Sequence, residues 1–473
     1  MRAVRASLLV LGVVIVVGGV AGLIWRQPQP QSVTLPDGSQ FTLLKVTQGT
    51  NHILRFGRRW QDFLYPVLPP KLRLKYPPRV MEFAGNRPDS VMVWFQREGF
   101  APADGEWPRV YLAVLDDYGL ESPLLLTPQV ARTLGASNAA MTGPGGGSVG
   151  IARQLAGWEV LDYPKRSGGF RLRIYGNGAD QQLTPAGDVR IPKLARNSFP
   201  VWQAESLPAV RLTNVLEITL TQLETGAVSP EDGFTPVGMV ARVYSRATFR
   251  LQENNLPAEN WSVHRLRLAS ATGITRHGDG KSARWQAGQH TADAWGGLWL
   301  EEPAWKVQAE FARTADFPAE DLWHIKAVAV PQPGRTTEHR VVTNLHGEEL
   351  EFLGVSGFKQ RPGPVGKTYA SLQVRTPHPL DALSVVLVEV RDEQGRRAEP
   401  RGVTVQTGTG GRGITPKETV INFRIEIPEG ARLLDIALAA TPVQQVEFLA
   451  KPELFAASVK LNHASRVPVS GGD

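Results

Sequence analysis

The chain has 473 residues, of which 42% are hydrophobic and 21% charged, a balance typical of globular domains rather than of disordered chains. Its net charge of +7 is scattered, and no long basic run is interleaved with aromatic residues, so the sequence does not favour a nucleic-acid groove. Cysteine is absent, which excludes disulfides, thiolate metal sites and a thiol nucleophile.

The first 31 residues combine a basic start with an apolar run. Arg2 and Arg5 precede the uncharged segment Ser7–Ile24, whose length lies between a signal peptide and a minimal membrane span. The positive-inside rule places the start in the cytoplasm and the bulk of the chain outside. We expect an uncleaved, single-pass anchor in the cell membrane, and a signal cleaved before Gly22 is the alternative. The segment Gln27–Gln31 is a short, stiff spacer.

The first element after the spacer is a predicted β-hairpin that returns late in the sequence. Apolar residues alternate on both sides of Pro-Asp-Gly in the segment Val33–Val46, which predicts strand, tight turn, strand. Aligning Gly38 with Gly347 places Phe41 on Leu350 and preserves the apolar spacing that follows. The polar residues of the segment do not recur. This favours a scaffold over a site for the whole stretch, including the Gly-Thr-Asn-His ending that resembles a chemical motif.

A second element repeats as well. The segment Val110–Ser122 matches Val386–Ala398, because each has an alternating strand, two charged residues and a turn ending in glycine. Repeats this far apart predict tandem domains of one type rather than a solenoid.

We therefore predict an all-β protein with tandem immunoglobulin-like β-sandwich domains after the N-terminal segment. The predicted domains are 32–200, a Trp-rich 201–333 and 334–473. Within the first domain, the Ala- and Gly-rich segment 127–157 is interpreted as an insertion with a short helix or two. Helical spacing of apolar residues also predicts a short basic amphipathic helix from Phe56 to Val67, packed on a sheet edge or lying on lipid.

Motifs for catalysis or cofactor binding are weak. Gly145, Gly147 and Gly150 fit a dinucleotide-binding pattern, but the residues before them do not form a predicted strand and no βαβ unit surrounds them, so we interpret them as a loop. The pairs His277 with Asp279 and His290 with Asp293 could ligate a metal, but two ligands do not make a site. We therefore expect these residues to lie in solvated turns. No catalytic residue, metal or cofactor is predicted.

Tryptophan is the least ordinary feature of the second domain. Six of the twelve tryptophans lie there, at positions 261, 285, 295, 299, 305 and 323. Trp305 and Trp323 alternate with apolar residues and are expected in a core between two sheets. Trp295 and Trp299 flank a Gly-Gly break and are the best candidates for an exposed platform that stacks on sugar rings.

Three segments carry a resemblance to a known family. They are GSQFTLLKVTQGTNH (Gly38–His52), PVWQAESLPAVRLTNVLEITLTQLETG (Pro200–Gly226) and LWLEEPAWKVQAEF (Leu298–Phe311). They resemble exported bacterial proteins with an N-terminal anchor, a family that implies no activity and no catalytic residue.

Three classes of function remain open for the sequence. We expect a structural or protein-interaction module outside the membrane, with an unknown protein partner. A surface protein that binds polysaccharide through Trp295 and Trp299 is the first alternative, and a hydrolase with an unrecognised site is the second.

Overall fold

A computed structural model of the chain describes residues 31–56, 79–100, 107–122, 126–142, 148–177, 183–192, 194, 198–228, 243–279, 284–286, 288–358, 368–376, 382–407 and 418–455. These residues form β-strands joined by turns and loops, with one 3-10 turn at Ala319–Asp321 and no α-helix among them. The all-β prediction is therefore confirmed. The described part of the chain contains no helix long and apolar enough to span a membrane, and the predicted anchor at 1–30 lies outside it.

The chain divides into two compact units, residues 1–198 with 230–243, and residues 199–229 with 244–473. The strands of the first unit are β1 (Ser32–Thr34), β2 (Gln40–Gln48), β3 (Asn51–Phe56), β4 (Arg79–Ala84), β5 (Val91–Phe100), β6 (Val110–Leu115), β7 (Val130–Thr142), β8 (Ser148–Val160), β9 (Gly169–Asn177) and β10 (Leu183–Pro192).

The second unit contains the remaining nineteen described strands. They are β11 (Ala209–Leu212), β12 (Glu217–Val228), β13 (Val243–Glu253), β14 (Leu256–Pro257), β15 (Trp261–Ser270), β16 (Thr275–Asp279), β17 (Arg284–Gln286), β18 (Gln289–Trp295), β19 (Trp305–Arg313), β20 (Leu322–Ala329), β21 (Thr336–Leu345), β22 (Glu348–Gly357), β23 (Thr368–Thr376), β24 (Leu383–Asp392), β25 (Glu399–Thr407), β26 (Thr419–Ile427), β27 (Leu433–Pro442), β28 (Gln444–Ala450) and β29 (Glu453–Leu454).

One pair of sheets recurs three times along the chain. In the first unit a five-stranded sheet has the order β1-β2-β5-β8-β7, and a three-stranded sheet has the order β10-β9-β6. The second unit contains β11-β12-β13-β18-β17 with β16-β15-β19-β28, and β21-β22-β23-β26-β25 with β20-β27-β24. In the last pair, buried residues from both sheets form one hydrophobic cluster, as expected of two packed layers.

The repeated hairpin is confirmed at its turn and in its packing. Gly38 and Gly347 both have positive φ, 79° and 84°, a backbone conformation that glycine adopts without steric cost. Phe41 is 2% exposed and Leu350 is fully buried. The ladder also shifts register at aligned positions, between Leu43 and Lys45 in β2 and between Phe352 and Gly354 in β22. The match therefore extends to an irregularity that ordinary strands do not share by chance.

The second repeated element has the same turn in both copies. After β6, the Asp116 carboxylate accepts hydrogen bonds from the backbone N–H groups of Tyr118 and Leu120. After β24, the Asp392 carboxylate accepts from the N–H groups two and four residues on, at 3.0 and 2.8 Å. An aspartate that ties down the following turn in this way fixes the exit of the strand.

The last strand of the sheet pair is exchanged between the second and third copies. In the first copy, β9 pairs with the strand that follows it, β10. In the second copy, β19 pairs with β28 instead of the next strand, and in the third copy β27 pairs with β20. Two strands therefore cross the predicted boundary near residue 333 in opposite directions. The division into three domains stays a prediction, but the second boundary does not follow the sheets.

The prediction of helices in 127–157 is wrong. The described residues of this segment form β7 and β8, which pair with each other and, through β8, with β5. The small residues make room for large neighbours: a Cβ at Gly157 would lie 2.9 Å from Trp94, and Ala156 is paired with Phe95. The composition reflects close packing against aromatic rings and carries no helical period. Beyond Phe56, which ends β3, the predicted amphipathic helix lies outside the described residues.

Candidate binding site

The Gly-Thr-Asn-His motif that ends at His52 has a structural role. Ser90 Oγ donates to the carbonyl of Gly49 at 2.9 Å, so the 2.9 Å contact between His52 Nε2 and Ser90 Oγ requires the imidazole to donate. His52 Nδ1 then accepts from Thr47 Oγ1 at 2.9 Å, and Thr47 accepts from the indole N–H of Trp94. Burial lowers the pKa of His52, which favours this neutral tautomer. The buried histidine is fully used by the scaffold.

The candidate metal pairs lie in strands rather than in solvated turns. His277 and Asp279 lie in strand β16, not in a solvated turn. His290 and Asp293 lie in β18, where His290 is buried and Asp293, an odd number of residues away, lies on the opposite face. The Asp293 carboxylate accepts two hydrogen bonds from Arg246, at 2.7 and 3.2 Å. Among the described residues, no group of three histidine, aspartate or glutamate side chains could hold a metal ion.

Trp299 is not exposed, and the platform prediction is wrong for it. Its side chain is fully buried, and its carbonyl accepts a hydrogen bond from the indole of Trp305 at 3.2 Å. The preceding Gly-Gly segment is held inward, because the carbonyl of Gly296 accepts from Ser245 and that of Gly297 accepts from Arg276. Glycines that look like a flexible break in the sequence are thus fixed by buried hydrogen bonds.

Trp305 and Trp323 are core residues, as predicted. Trp305 is fully buried and Trp323 is 6% exposed. The side chain of Trp285 lies outside the described set, so nothing follows for it.

Trp295 differs from Trp299 because it lies on the outward face at the end of β18 and is half-buried. It lines a cavity of about 960 Å³ in the second unit, a size typical of ligand sites. One wall of this cavity comes from β15, β16, β18 and β19, and the other comes from β24, β25 and β26. Of the two platform candidates, only Trp295 reaches a space that a ligand could enter.

The wall from β24, β25 and β26 is apolar and borders two sheet edges. It includes Val385 and Leu387 of β24, Val403 and Val405 of β25, and Phe423 of β26. β24 and β25 are the outermost strands on this side of their described sheets. Val403 is 39% and Val405 61% exposed, whereas Phe423, the partner of Val403 on the adjacent strand β26, is 1% exposed. The cavity therefore leads from an exposed strand edge to the hydrophobic core of the third sheet pair.

The opposite wall is polar and basic. It includes His264, Arg265, His277 and Arg313, and no aspartate or glutamate lies among the described residues that line the cavity. Burial lowers the pKa of both histidines, and nearby arginines lower it further. The positive charge on this wall at neutral pH therefore comes from the two arginines.

A β-bulge directs His264 into the cavity. The register between β15 and β19 shifts between Val263 and Arg265, so His264 is the extra residue. Its Nδ1 lies 3.5 Å from Ser384 Oγ of β24, the longest distance that counts as a hydrogen bond. A serine nucleophile would need this imidazole to become positively charged during reaction. Burial is the main cause that disfavours this charge on His264; Arg265 adds to the effect and Glu310 opposes it.

Comparison with known proteins adds no assignment. No protein-family model matches the chain, and no curated protein matches it significantly.

Proposed function

We propose that this chain is a membrane-anchored, extracytoplasmic protein-interaction module built from immunoglobulin-like β-sandwiches. The strand order supports the immunoglobulin-like assignment. Constant-type immunoglobulin domains join strands A-B-E-D in one sheet and C-F-G in the other. The order β2-β5-β8-β7 with β6-β9-β10 follows the same scheme if β2 is strand A, and the two other sheet pairs repeat it with their last strands exchanged.

The membrane location is supported by the N-terminal sequence. Arg2 and Arg5 before the apolar segment Ser7–Ile24 orient such a segment with its start in the cytoplasm. The test is to add protease to spheroplasts and to wash membranes with carbonate. Degradation of the bulk of the chain together with retention in the pellet is expected. Release of a soluble form beginning near Gly22 would contradict the anchor.

The observation that carries the interaction function is the exposed edge at the cavity. An edge strand presents backbone N–H and C=O groups that can pair with another chain, and proteins usually protect such edges with charge, proline or bulges. β25 has Pro400, Arg401 and a register shift at its beginning, but its later part is Val403-Thr404-Val405. This unprotected part borders the apolar cavity, so an added strand would gain both backbone hydrogen bonds and side-chain burial.

The other edge of the same sheet provides the comparison. β21 also exposes a valine, Val342, which is 58% exposed. Charged and polar residues, Glu338, His339 and Arg340, lie in this strand, and its register with β22 shifts between Glu338 and Val341. By the same principle β21 is a protected edge, which makes Val342 a matched control for Val405.

A photo-crosslinking experiment in the living cell tests this function. A benzoylphenylalanine placed at Val405 should give a protein adduct, and the same group at Val342 should not. The adduct should disappear when Val403→Asp is added, because a charge on the cavity wall opposes apolar burial. Equal adducts at both positions, or an adduct that survives Val403→Asp, would contradict the proposed site.

A glycan ligand is the second candidate, and Trp295 is the observation that favours it. Its half-exposed ring lies in the cavity wall with Arg265 and His277, which supply hydrogen-bond donors. If a glycan binds there, Trp295→Ala should weaken retention on polysaccharide columns, while Val405→Asp on the other wall should matter less. If a protein binds, the order of the two effects should be reversed.

A further inference from the structure

The two walls of the cavity differ in the chemistry that they offer. The β25 wall offers exposed valines and an edge of backbone groups, and the β15 wall offers arginine. An occupant that satisfies both is extended, is apolar where it faces the valines, and carries a negative charge that reaches the arginine wall. The cavity volume of about 960 Å³ leaves room for a short chain segment rather than for a single small ion.

Arg265 is the cation best placed to accept a new partner. Its Nη1 lies 3.2 Å from Glu310 Oε1, and its side chain is 48% exposed. An exposed ion pair of this kind is weak, and a guanidinium carries five N–H donors, so one contact with Glu310 leaves donors for another acceptor. A carboxylate or other planar anion fits this geometry well.

Arg313 has a different role on the same wall. It donates to a Glu253 carboxylate oxygen at 2.5 Å, and its guanidinium stacks over the Trp261 ring at 4.9 Å. These contacts hold the side chain in the fold. Arg313 therefore adds positive potential to the wall, while Arg265 supplies the exchangeable contact.

The exposed edge of β25 favours a peptide over a lipid as the occupant of the cavity. An acyl chain could fill the apolar wall, but it has no donors or acceptors for the main-chain groups of Val403–Val405. A peptide strand supplies them at the strand spacing and also carries side chains that alternate toward the valines. The terminal carboxyl group of such a peptide is a planar anion of the kind that Arg265 can accept.

We propose that the occupant is an extended protein segment with a free carboxy terminus, whose apolar side chains pack on Val403 and Val405 and whose terminal carboxylate accepts hydrogen bonds from Arg265. This inference rests on the proposed interaction function and narrows it to one kind of partner. The segment adds a strand to β25, and its end is recognised by charge.

Two display libraries test the inference. Random peptides of about eight residues, the length of an ordinary strand, are displayed either with a free carboxy terminus or with a Gly-Ser tail fused after them. Both are selected on the full chain in detergent. Peptides with apolar residues at alternate positions should be enriched from the free-terminus library only. Enrichment from the tailed library as well would overturn the terminal-carboxylate inference and leave the interaction function standing. No enrichment from either would overturn both.

Charge variants then test the contact itself with the best selected peptide. Arg265→Gln should weaken binding about tenfold, which is the loss expected when one modest charge-assisted hydrogen bond is removed. Glu310→Gln removes the competing carboxylate and should strengthen binding, and Arg250→Gln, an exposed arginine of β13, should leave it unchanged. Amidation of the peptide should abolish the difference between wild type and Arg265→Gln. Equal binding by wild type and Arg265→Gln would refute the contact, and so would preferential binding of a fatty acid at this site.

Discussion

The contrast between Trp299 and Trp295 gives a direct test of how the second unit is packed. The sequence offers the two residues as equivalent, whereas the structure places Trp299 in the core and Trp295 in the cavity wall. We expect Trp299→Ala to destabilise the protein strongly and Trp295→Ala to destabilise it only slightly.

The magnitude follows from burial. Trp299 is fully buried, and replacing a buried tryptophan with alanine costs about 3–5 kcal/mol, because the cavity collapses only partly. The variant also loses the contact of the Arg276 guanidinium, 5.8 Å above the ring. For a unit of this size, such a loss lowers the Tm by roughly 6–20 °C. The half-buried Trp295 should lose about 1 kcal/mol, a typical value for a single substitution.

Differential scanning calorimetry of the two single variants against the wild type measures this contrast. Urea unfolding provides the control, because an unchanged m-value shows that both variants start from the same fold. Equal losses for the two variants, or a larger loss for Trp295→Ala, would refute the assignment of Trp299 to the core and Trp295 to the cavity wall.

Three other predictions concern the scaffold. Because β20 and β28 are exchanged between sheet pairs, a fragment of residues 334–473 should fail to fold alone. Circular dichroism and proteolysis measure this. A stable fragment that unfolds cooperatively would contradict the exchange. Burial lowers the pKa of His290 to about 4, so on acidification this histidine binds a proton in the unfolded chain before it does so in the folded one. The free energy of unfolding, measured in urea, should therefore fall by about 2 kcal/mol between pH 6.5 and pH 5. This part of the loss should be absent in His290→Gln. Asp116→Ala and Asp392→Ala should each lower the Tm, because each carboxylate accepts hydrogen bonds from two backbone N–H groups. Asp117 is exposed, so Asp117→Ala should leave the Tm unchanged. An equal effect of all three substitutions would contradict the shared turn.

The repeated scaffold could be predicted because its signals are local. A turn glycine at positive φ, the apolar spacing after it and an aspartate at the end of a strand are each fixed by a few neighbouring residues. The alignment of Gly38 with Gly347 therefore located equivalent turns, and it also aligned the register shifts in β2 and β22.

The exchange of β20 and β28 could not be predicted because pairing partners are not local. β19 can be paired by any alternating strand of suitable length, and both β20 and β28 meet that requirement. The choice between them depends on the path of the chain between the two sheet pairs. A domain boundary predicted at residue 333 from the local sequence therefore does not show which strands pair across it.

Only part of the candidate site could be predicted from the sequence, for a similar reason. Tryptophan density identified Trp295, but the same argument selected Trp299, because composition does not show which way a strand exit turns. His264 and Arg265 carry no motif, and a β-bulge rather than a sequence pattern directs His264 to the cavity. The signal that was present is the run of β-branched residues Val403–Val405 after Pro400 in the same strand.

The proposed pairing of β25 with a partner strand at the cavity is tested most directly by a matched pair of charge substitutions. Val405→Asp and Val342→Asp each place a carboxylate at an exposed valine of an edge strand in the same sheet. The affinity of each variant for the partner crosslinked at position 405 is measured by titration calorimetry. Val405→Asp should weaken binding at least about tenfold, or 1.4 kcal/mol, while Val342→Asp stays at the wild-type value. Equal affinities for the two variants, or a loss confined to Val342→Asp, would contradict the account.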